Sequence, residues 1–329
     1  MPQKILISSI FTMPVFASEP RKQGLQALSQ LGEFVDEPPE LTAEHAAGVV
    51  ASIAGGSRYT EGFYRAAKDL RIIARWGVGY DQVNVDVATE HGVIITITPV
   101  HMETVAEYTI AQWLATLKRT YTLNRNSHAG DFALMRTYEA QGSTLGLYGC
   151  GRIGQEVAQR ARPLLGPDGR LLIYDVRPDI AEIAAKYDAT VVDNPRVLFQ
   201  ESDTVSLHVS GDDTIVDYDL LRAMKPHASL INPSRGNLVD DEAVNRAIDE
   251  ERLYYYVVDD PANGPREIHK DNARIICTNH NGGIAVESVI RLDQTTFAQV
   301  TDTLHGRRPD HVLNPEVLDH PKVQGFLTS

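Results

Sequence analysis

Short apolar runs alternate along most of the chain with longer stretches that carry apolar residues at helical spacing, and this alternation predicts parallel sheets covered on both faces. The first set of runs falls near 4 to 10, 49 to 54, 70 to 75 and 93 to 97, with helical patterns such as 20 to 31 and 61 to 67 between them. Residues 103 to 121 follow Pro99 and space Val105, Ile110, Trp113, Leu114 and Leu117 as on a helix, which predicts a long crossover helix. A second set starts at 144 to 148 and continues near 170 to 174, 189 to 192, 203 to 208, 228 to 232, 254 to 259 and 274 to 278. These seven runs predict a full doubly wound sheet. The polar stretch 122 to 142 has weak periodicity and reads as an arm or a subunit contact. A last helical pattern, about 283 to 304, is long enough to run back to the first domain and make it discontinuous.

Composition adds limits. The chain has 329 residues, 43% hydrophobic and 23% charged, as in a globular protein large enough for two domains. Its formal net charge of -13 argues against nucleic-acid binding, which is driven by cations that release counterions from phosphates. Cys150 and Cys277 lie far apart and have neither metal-ligand spacing nor a redox partner, so no metal site is expected and a reduced, cytoplasmic setting fits. The apolar run 4 to 10 is too short for a signal-peptide core, and no later run approaches the roughly 18 to 20 apolar residues of a membrane span.

The chemistry starts after the run 144 to 148, where Gly149-Cys-Gly-Arg-Ile-Gly154 opens a good helix former. Gly149 permits a tight turn, Gly151 has no side chain to block a pyrophosphate, and Gly154 lets the helix pack close to the sheet. Arg152 and Ile153 complete the turn, whose free amides would meet phosphate charge. A lone glycine motif is weak, but Asp175 ends the next run about twenty residues on, placed to hold ribose hydroxyls. This context predicts bound NAD in a Rossmann domain. An acid there disfavours the extra phosphate of NADP, although Arg177 leaves that option open.

Several further motifs stand in register. They are Arg75-Trp-Gly-Val-Gly-Tyr-Asp81 with Asp86, Val105-Ala-Glu107, Ser206-Leu-His208, the run Met224 through Ser234-Arg-Gly to Asp240, Asp259, and Thr278-Asn-His-Asn-Gly-Gly283. With the glycine turn, they make the chain resemble the D-isomer-specific 2-hydroxyacid dehydrogenase family over nearly its whole length. The resemblance implies an α/β fold of two doubly wound parallel-sheet domains. A discontinuous, flavodoxin-like substrate domain (1–98 and 286–329) would flank a Rossmann NAD domain (99–285), with substrate in a cleft that closes on ligand.

The resemblance also implies roles. Arg235 would bind the substrate carboxylate and polarise the 2-oxo group, a task suited to a bidentate cation. His280 would be the acid/base, since an imidazole with an ordinary pKa of about 6.5 exchanges protons near neutrality. Amides of Val78 and Gly79 would receive the carboxylate. Asp259 would hold the nicotinamide amide, and His208 joins the cofactor residues. Arg58, in the loop 55 to 59, is a candidate for an anionic or polyhydroxy substrate tail. Asp81 and Asp86 read as turn and cap residues, and Cys150 as a packed side chain rather than a nucleophile. A homodimer through residues 100 to 142 is expected by the same resemblance.

Two departures stand out. The family places Glu-Pro shortly after the position of Asp259, and that Glu hydrogen-bonds the catalytic His; here Gly264 stands where Glu is expected. A neighbouring carboxylate favours an imidazolium and fixes its orientation. Its loss leaves three readings: Asp260 or Glu267 substitutes, a water or substrate group fills the gap, or the reaction differs. Asn279 also replaces the Pro expected before His280, so Asn279 and Asn281 either hold a hydroxylated substrate or cap the helix near Gly283. The reading that results is an NAD-dependent oxidoreductase moving hydride at C2 of a small polar 2-hydroxy or 2-oxo acid. The alternatives are a same-fold dehydrogenase for a formate-like, phosphonate-like or sugar-acid substrate, and a non-catalytic NAD-sensing binding protein.

Overall fold

The computed structural model describes residues 2–211, 213–260 and 266–328. The chain divides into two compact units, Met1–His101 with Ala285–Ser329, and Met102–Ile284. The expected boundaries were 98/99 and 285/286; the observed ones fall where the helix Met102–Leu117 begins and just ahead of the helix Val286–Leu304.

Among the described residues of the first unit, the strands are β1 (Lys4–Ile7), β2 (Glu33–Asp36), β3 (Glu40–Leu41), β4 (Val49–Ala54), β5 (Arg58–Tyr59), β6 (Ile72–Arg75) and β7 (Ile94–Thr96). Five of them form a parallel sheet in the order β2-β1-β4-β6-β7, the flavodoxin-like arrangement, while β3 and β5 pair separately. All of β4 is buried, which is why it reads as a continuous apolar run rather than an alternating one. One face packs Leu6, Ile73 and Ile95 against Phe63 and Tyr64. The other packs Ile5, Ile7 and Ile72 against Leu28 and against Phe297 and Val300 of the helix Val286–Leu304. Burial of those two side chains is what returns the chain to the first unit.

In the second unit β8 (Thr144–Tyr148), β9 (Arg170–Tyr174), β10 (Thr190–Val191), β11 (Thr204–Leu207), β12 (Ser229–Asn232), β13 (Tyr255–Val258) and β14 (Ile275–Cys277) form a parallel sheet. Its order is β10-β9-β8-β11-β12-β13-β14, the Rossmann order with one strand added. Strand order reverses between β8 and β11, so the carboxyl ends of these strands border the crevice where such sheets take ligands. Trp113 and Leu117 of the helix Met102–Leu117 pack on Val157, Ala158 and Ala161 of the helix Arg152–Leu165.

Four local expectations are corrected. The crossover is two helices, Met102–Leu117 and Thr120–His128, because Arg119 takes a left-handed φ of 50° and sets its guanidinium 3.7 Å from the Tyr254 ring centre. Residues 58 and 59 are a strand rather than loop. The helix Val286–Leu304 starts too late for Asn279 or Asn281 to cap it, and Ser288 accepts the Ala285 N–H instead. Asn84, not Asp86, caps the helix Val85–Glu90. Among the described residues no helix is long and apolar enough to cross a membrane.

Candidate functional site

The glycine turn leaves β8 at Gly149 with φ +93°, and a methyl group there would lie 2.6 Å from the His208 carbonyl oxygen. Only glycine closes such a turn. A methyl on Gly151 would meet nothing within 4 Å, so the backbone is open to an approaching group; one on Gly154 would press on the Gly149 carbonyl. The helix Arg152–Leu165 begins here with Gly151 as its N-cap and no side-chain cap, leaving first-turn amides for an anion. Arg152 is exposed and Ile153 is packed at the edge of the core.

Asp175 follows β9 and joins the turn. One carboxylate oxygen accepts the Cys150 N–H at 2.7 Å and the other the Arg177 N–H at 2.9 Å, which leaves lone pairs for a diol. The Arg177 guanidinium is engaged by Asp179 at 2.6 and 2.9 Å rather than offered to a 2′-phosphate. Burial, reinforced by the Asp175 charge, pushes the Cys150 thiol up to about 12, in keeping with a packed side chain. The cradle fits a dinucleotide. Asp175→Ala is expected to weaken NADH binding by about ten- to a hundredfold and NADPH binding less, as checked by fluorescence titration of both.

His208 follows β11 beside the turn. Both ring nitrogens are buried without a partner among the described residues, and burial pushes the imidazole down to about 3. Such orphaned polar atoms at a ligand edge suit a residue completed by its ligand. The folded state keeps this ring neutral while the unfolded chain protonates below about 6.5, so stability is lost as pH falls from that value toward 3. His208→Gln is expected to remove about 2 kcal/mol of the stability difference between pH 7 and 5, measured by urea unfolding of the apoprotein.

Arg235 follows β12, half-buried, with Nη1 donating to the Ser234 carbonyl at 2.9 Å. Asn232 pins this turn by donating to the Arg235 carbonyl at 2.8 Å and accepting the Ser234 N–H at 3.1 Å. Asp259 follows β13 and is 4% exposed; its carboxylate accepts the Thr278 hydroxyl at 2.5 Å and the Asn281 and Gly282 N–H groups at 2.8 and 2.6 Å. Three of about four lone pairs are thereby taken. His280 follows β14, exposed, with φ 53° and its N–H donating to the Thr278 carbonyl at 2.9 Å. A non-glycine residue in this region costs about 1–2 kcal/mol, which the surrounding bonds must offset. The strands that lead to Arg235 and His280 are separated only by β13, so their roots lie about 10 Å apart. The second-unit candidates thus share one carboxyl edge.

In the first unit, Val78 and Gly79 follow β6, and their N–H groups have no acceptor among the described residues. Arg75 donates from Nε to the Gly79 carbonyl at 2.7 Å and from Nη1 to the Gly55 carbonyl, tying this loop to the one before β5. Next to it, Trp76 Nε1 donates to Asp293 at 2.8 Å, and Asp293 is held by Arg21 through two bonds of 2.8 and 2.7 Å. Arg58 faces Glu40 at 3.8 Å, largely exposed, and lines a cavity of about 390 Å³ with Asp81 and Gln82. Its neighbour Tyr59 is buried and bonded to Glu37, which also accepts the Ser52 hydroxyl and the Gly55 N–H.

A family model described as "D-isomer specific 2-hydroxyacid dehydrogenase, NAD binding domain" matches residues 110–282. A glyoxylate reductase of Thermofilum pendens is 30% identical over 270 residues, 77% of this chain and 77% of that one. The chain belongs to the D-isomer-specific 2-hydroxyacid dehydrogenase family. A glyoxylate reductase of Korarchaeum cryptofilum is 37% identical over 198 residues, which are 57% of this chain and 58% of that protein, so the chain spans less than two thirds of this relative. In fold it is similar to a glyoxylate reductase from Paecilomyes thermophila, with a TM-score of 0.79 at 22% identity, covering 96% of this chain and 99% of that one. The matched model is that of the family's NAD-binding domain, and it falls within the second unit.

Within this dehydrogenase family the departure at Gly264 remains notable, although residues 261–265 lie outside those described. The two acids considered as substitutes have other partners. Asp260 accepts the Gly236 N–H at 3.2 Å and a bond from Arg266 at 3.3 Å, and Glu267 is exposed 3.7 Å from Lys270. Sequence reasoning quoted Arg75 at the head of its motif without giving it a role, and it missed Glu37, the other brace of the first-unit loops, and Tyr108, whose hydroxyl lies 2.7 Å from that of Thr278. No local signal marks Glu37; the motif around Val105-Ala-Glu107 adjoined Tyr108 without assigning it.

Proposed function

We infer that the protein is an NAD-dependent dehydrogenase or reductase that interconverts a small, polar 2-hydroxy acid and its 2-oxo form. The observation that carries this reading is the shared edge: the dinucleotide turn with Asp175, the guanidinium of Arg235 and the imidazole of His280 all follow strands of one parallel sheet on the same side. Bound NAD would supply or accept the hydride at C2. Arg235 pairs with the carboxylate and draws charge onto the 2-oxo oxygen, a role that needs a fixed cation with paired donors. Val78 and Gly79 offer amides to the same kind of anion. In reduction, a ring N–H of His280 gives its proton to the oxygen on C2; in oxidation the neutral ring nitrogen takes that proton back.

Relatives named glyoxylate reductase, hydroxypyruvate reductase and D-3-phosphoglycerate dehydrogenase supply the first substrates to try. The test is NADH oxidation with glyoxylate, hydroxypyruvate, pyruvate and the phosphorylated hydroxypyruvate, alongside NAD reduction with formate and phosphite. Turnover of at least one 2-oxo acid supports the reading; turnover of formate or phosphite alone, or NADH binding with no turnover, contradicts it. Phe132 and Leu134, 79% and 103% exposed after the helix Thr120–His128, support pairing of two copies through residues 100 to 142, which sedimentation would detect.

A further inference from the structure

We propose that Tyr108, Thr278 and Asp259 form a hydrogen-bonded clamp that sets the orientation of His280 through its backbone, in place of the side-chain carboxylate that Gly264 removes. The inference rests on the acid/base assignment of His280. Its structural basis lies wholly within the second unit.

The direction of the bonds follows from proton counting. The Thr278 hydroxyl has one hydrogen and gives it to Asp259 Oδ1 at 2.5 Å. The bond of 2.7 Å between Tyr108 and Thr278 must then run from the Tyr108 hydroxyl to Thr278 Oγ1. The Tyr108 phenol keeps its proton, since burial pushes its pKa well above the usual range. The result is a chain of donors ending on a buried anion, in which each bond polarises the next.

The anion then spends its remaining contacts on the two residues after His280, whose N–H groups converge on the two carboxylate oxygens. The turn before His280 closes with its own N–H on the Thr278 carbonyl, and the turn after it closes from the Ile284 N–H to the Asn281 carbonyl at 3.0 Å. His280 is thus fixed on both sides while its ring is exposed. Gly282 fits because a methyl there would lie 2.7 Å from Asp259 Oδ2 and 3.2 Å from the Tyr108 ring. A carboxylate gripping three donors is rigid enough to hold the left-handed φ that aims the imidazole. In the family pattern a Glu side chain orients the catalytic ring; here orientation is delegated to the backbone. Tyr108, Thr278 and Asp259 are therefore positioning residues.

Amide hydrogen exchange of the intact chain reads the clamp without reference to activity. Tyr108→Phe and Thr278→Val are expected to speed exchange at Asn281 and Gly282 about tenfold or more, and to lower kcat about tenfold with the NADH KM within twofold. Thr278→Ser, which keeps the hydroxyl, should restore both. Should Thr278→Val not fold, Tyr108→Phe and Gly282→Ala carry the same expectation. Exchange at these amides unchanged in Tyr108→Phe, or a loss confined to NADH affinity, would overturn the clamp. If His280→Gln retained full turnover, the acid/base reading would fail while the exchange experiment still decided whether the clamp exists.

Discussion

Replacing His280 by Gln is expected to lower kcat for 2-oxo acid reduction by about 10²–10⁴-fold while leaving NADH affinity within about twofold. That range is the usual contribution of a positioned proton donor or acceptor. The amide of Gln preserves polarity and approximate size but cannot exchange a proton with the substrate oxygen. Because His280 is exposed and its loop is held by Asp259 through backbone groups, the substitution leaves the supporting bonds in place and the protein folded. Arg235→Gln should differ in kind. In its proposed role it would remove the charge that pairs with the carboxylate, so KM for the acid should rise and kcat/KM fall. Steady-state kinetics on both variants separate the roles; equal losses in NADH affinity alone would count against both.

The second large effect concerns stability. Arg21 and Asp293 are 3% and 0% exposed and form a two-bond ion pair inside the first unit, with the Arg21 guanidinium 4.8 Å from the Phe11 ring centre and 5.5 Å from that of Trp76. Removing one partner strands a buried charge, so Arg21→Met is expected to cost about 3–5 kcal/mol in urea unfolding. Replacing both, as Arg21→Met with Asp293→Leu, should recover a large part of that loss, since two apolar groups need no partner. Full recovery is not expected, because Trp76 Nε1 also loses its acceptor.

How much of this was legible in the sequence follows from the range of each signal. Strands such as β4 and β8 were readable because parallel strands buried on both faces leave unbroken apolar runs. The edge strand β2 was missed, since its sequence Glu-Phe-Val-Asp is only half-buried and carries no such run. The break at Arg119 was invisible because its cause, the Tyr254 ring, stands far along the chain. The cofactor turn was legible for the opposite reason, being built from neighbours whose spacing is itself the geometry. The clamp on His280 and the Arg21–Asp293 pair join residues more than 150 positions apart, so only the folded chain brings them together. Asp260 and Glu267 were reasonable substitutes by proximity in sequence, yet Asp260 turns toward Gly236 and Arg266, and Glu267 lies beside Lys270.

The central claim is that the edge carrying the glycine turn, Arg235 and His280 is a working dehydrogenase site despite Gly264. The most direct test is the steady-state rate of NADH-driven reduction of glyoxylate or hydroxypyruvate by the native chain and by His280→Gln. In the proposed reduction the imidazole gives its proton to the oxygen on C2, so the native chain should turn over at least one of these acids and His280→Gln should lose most of that rate. No turnover by the native chain, or an unchanged rate in His280→Gln, would contradict the account.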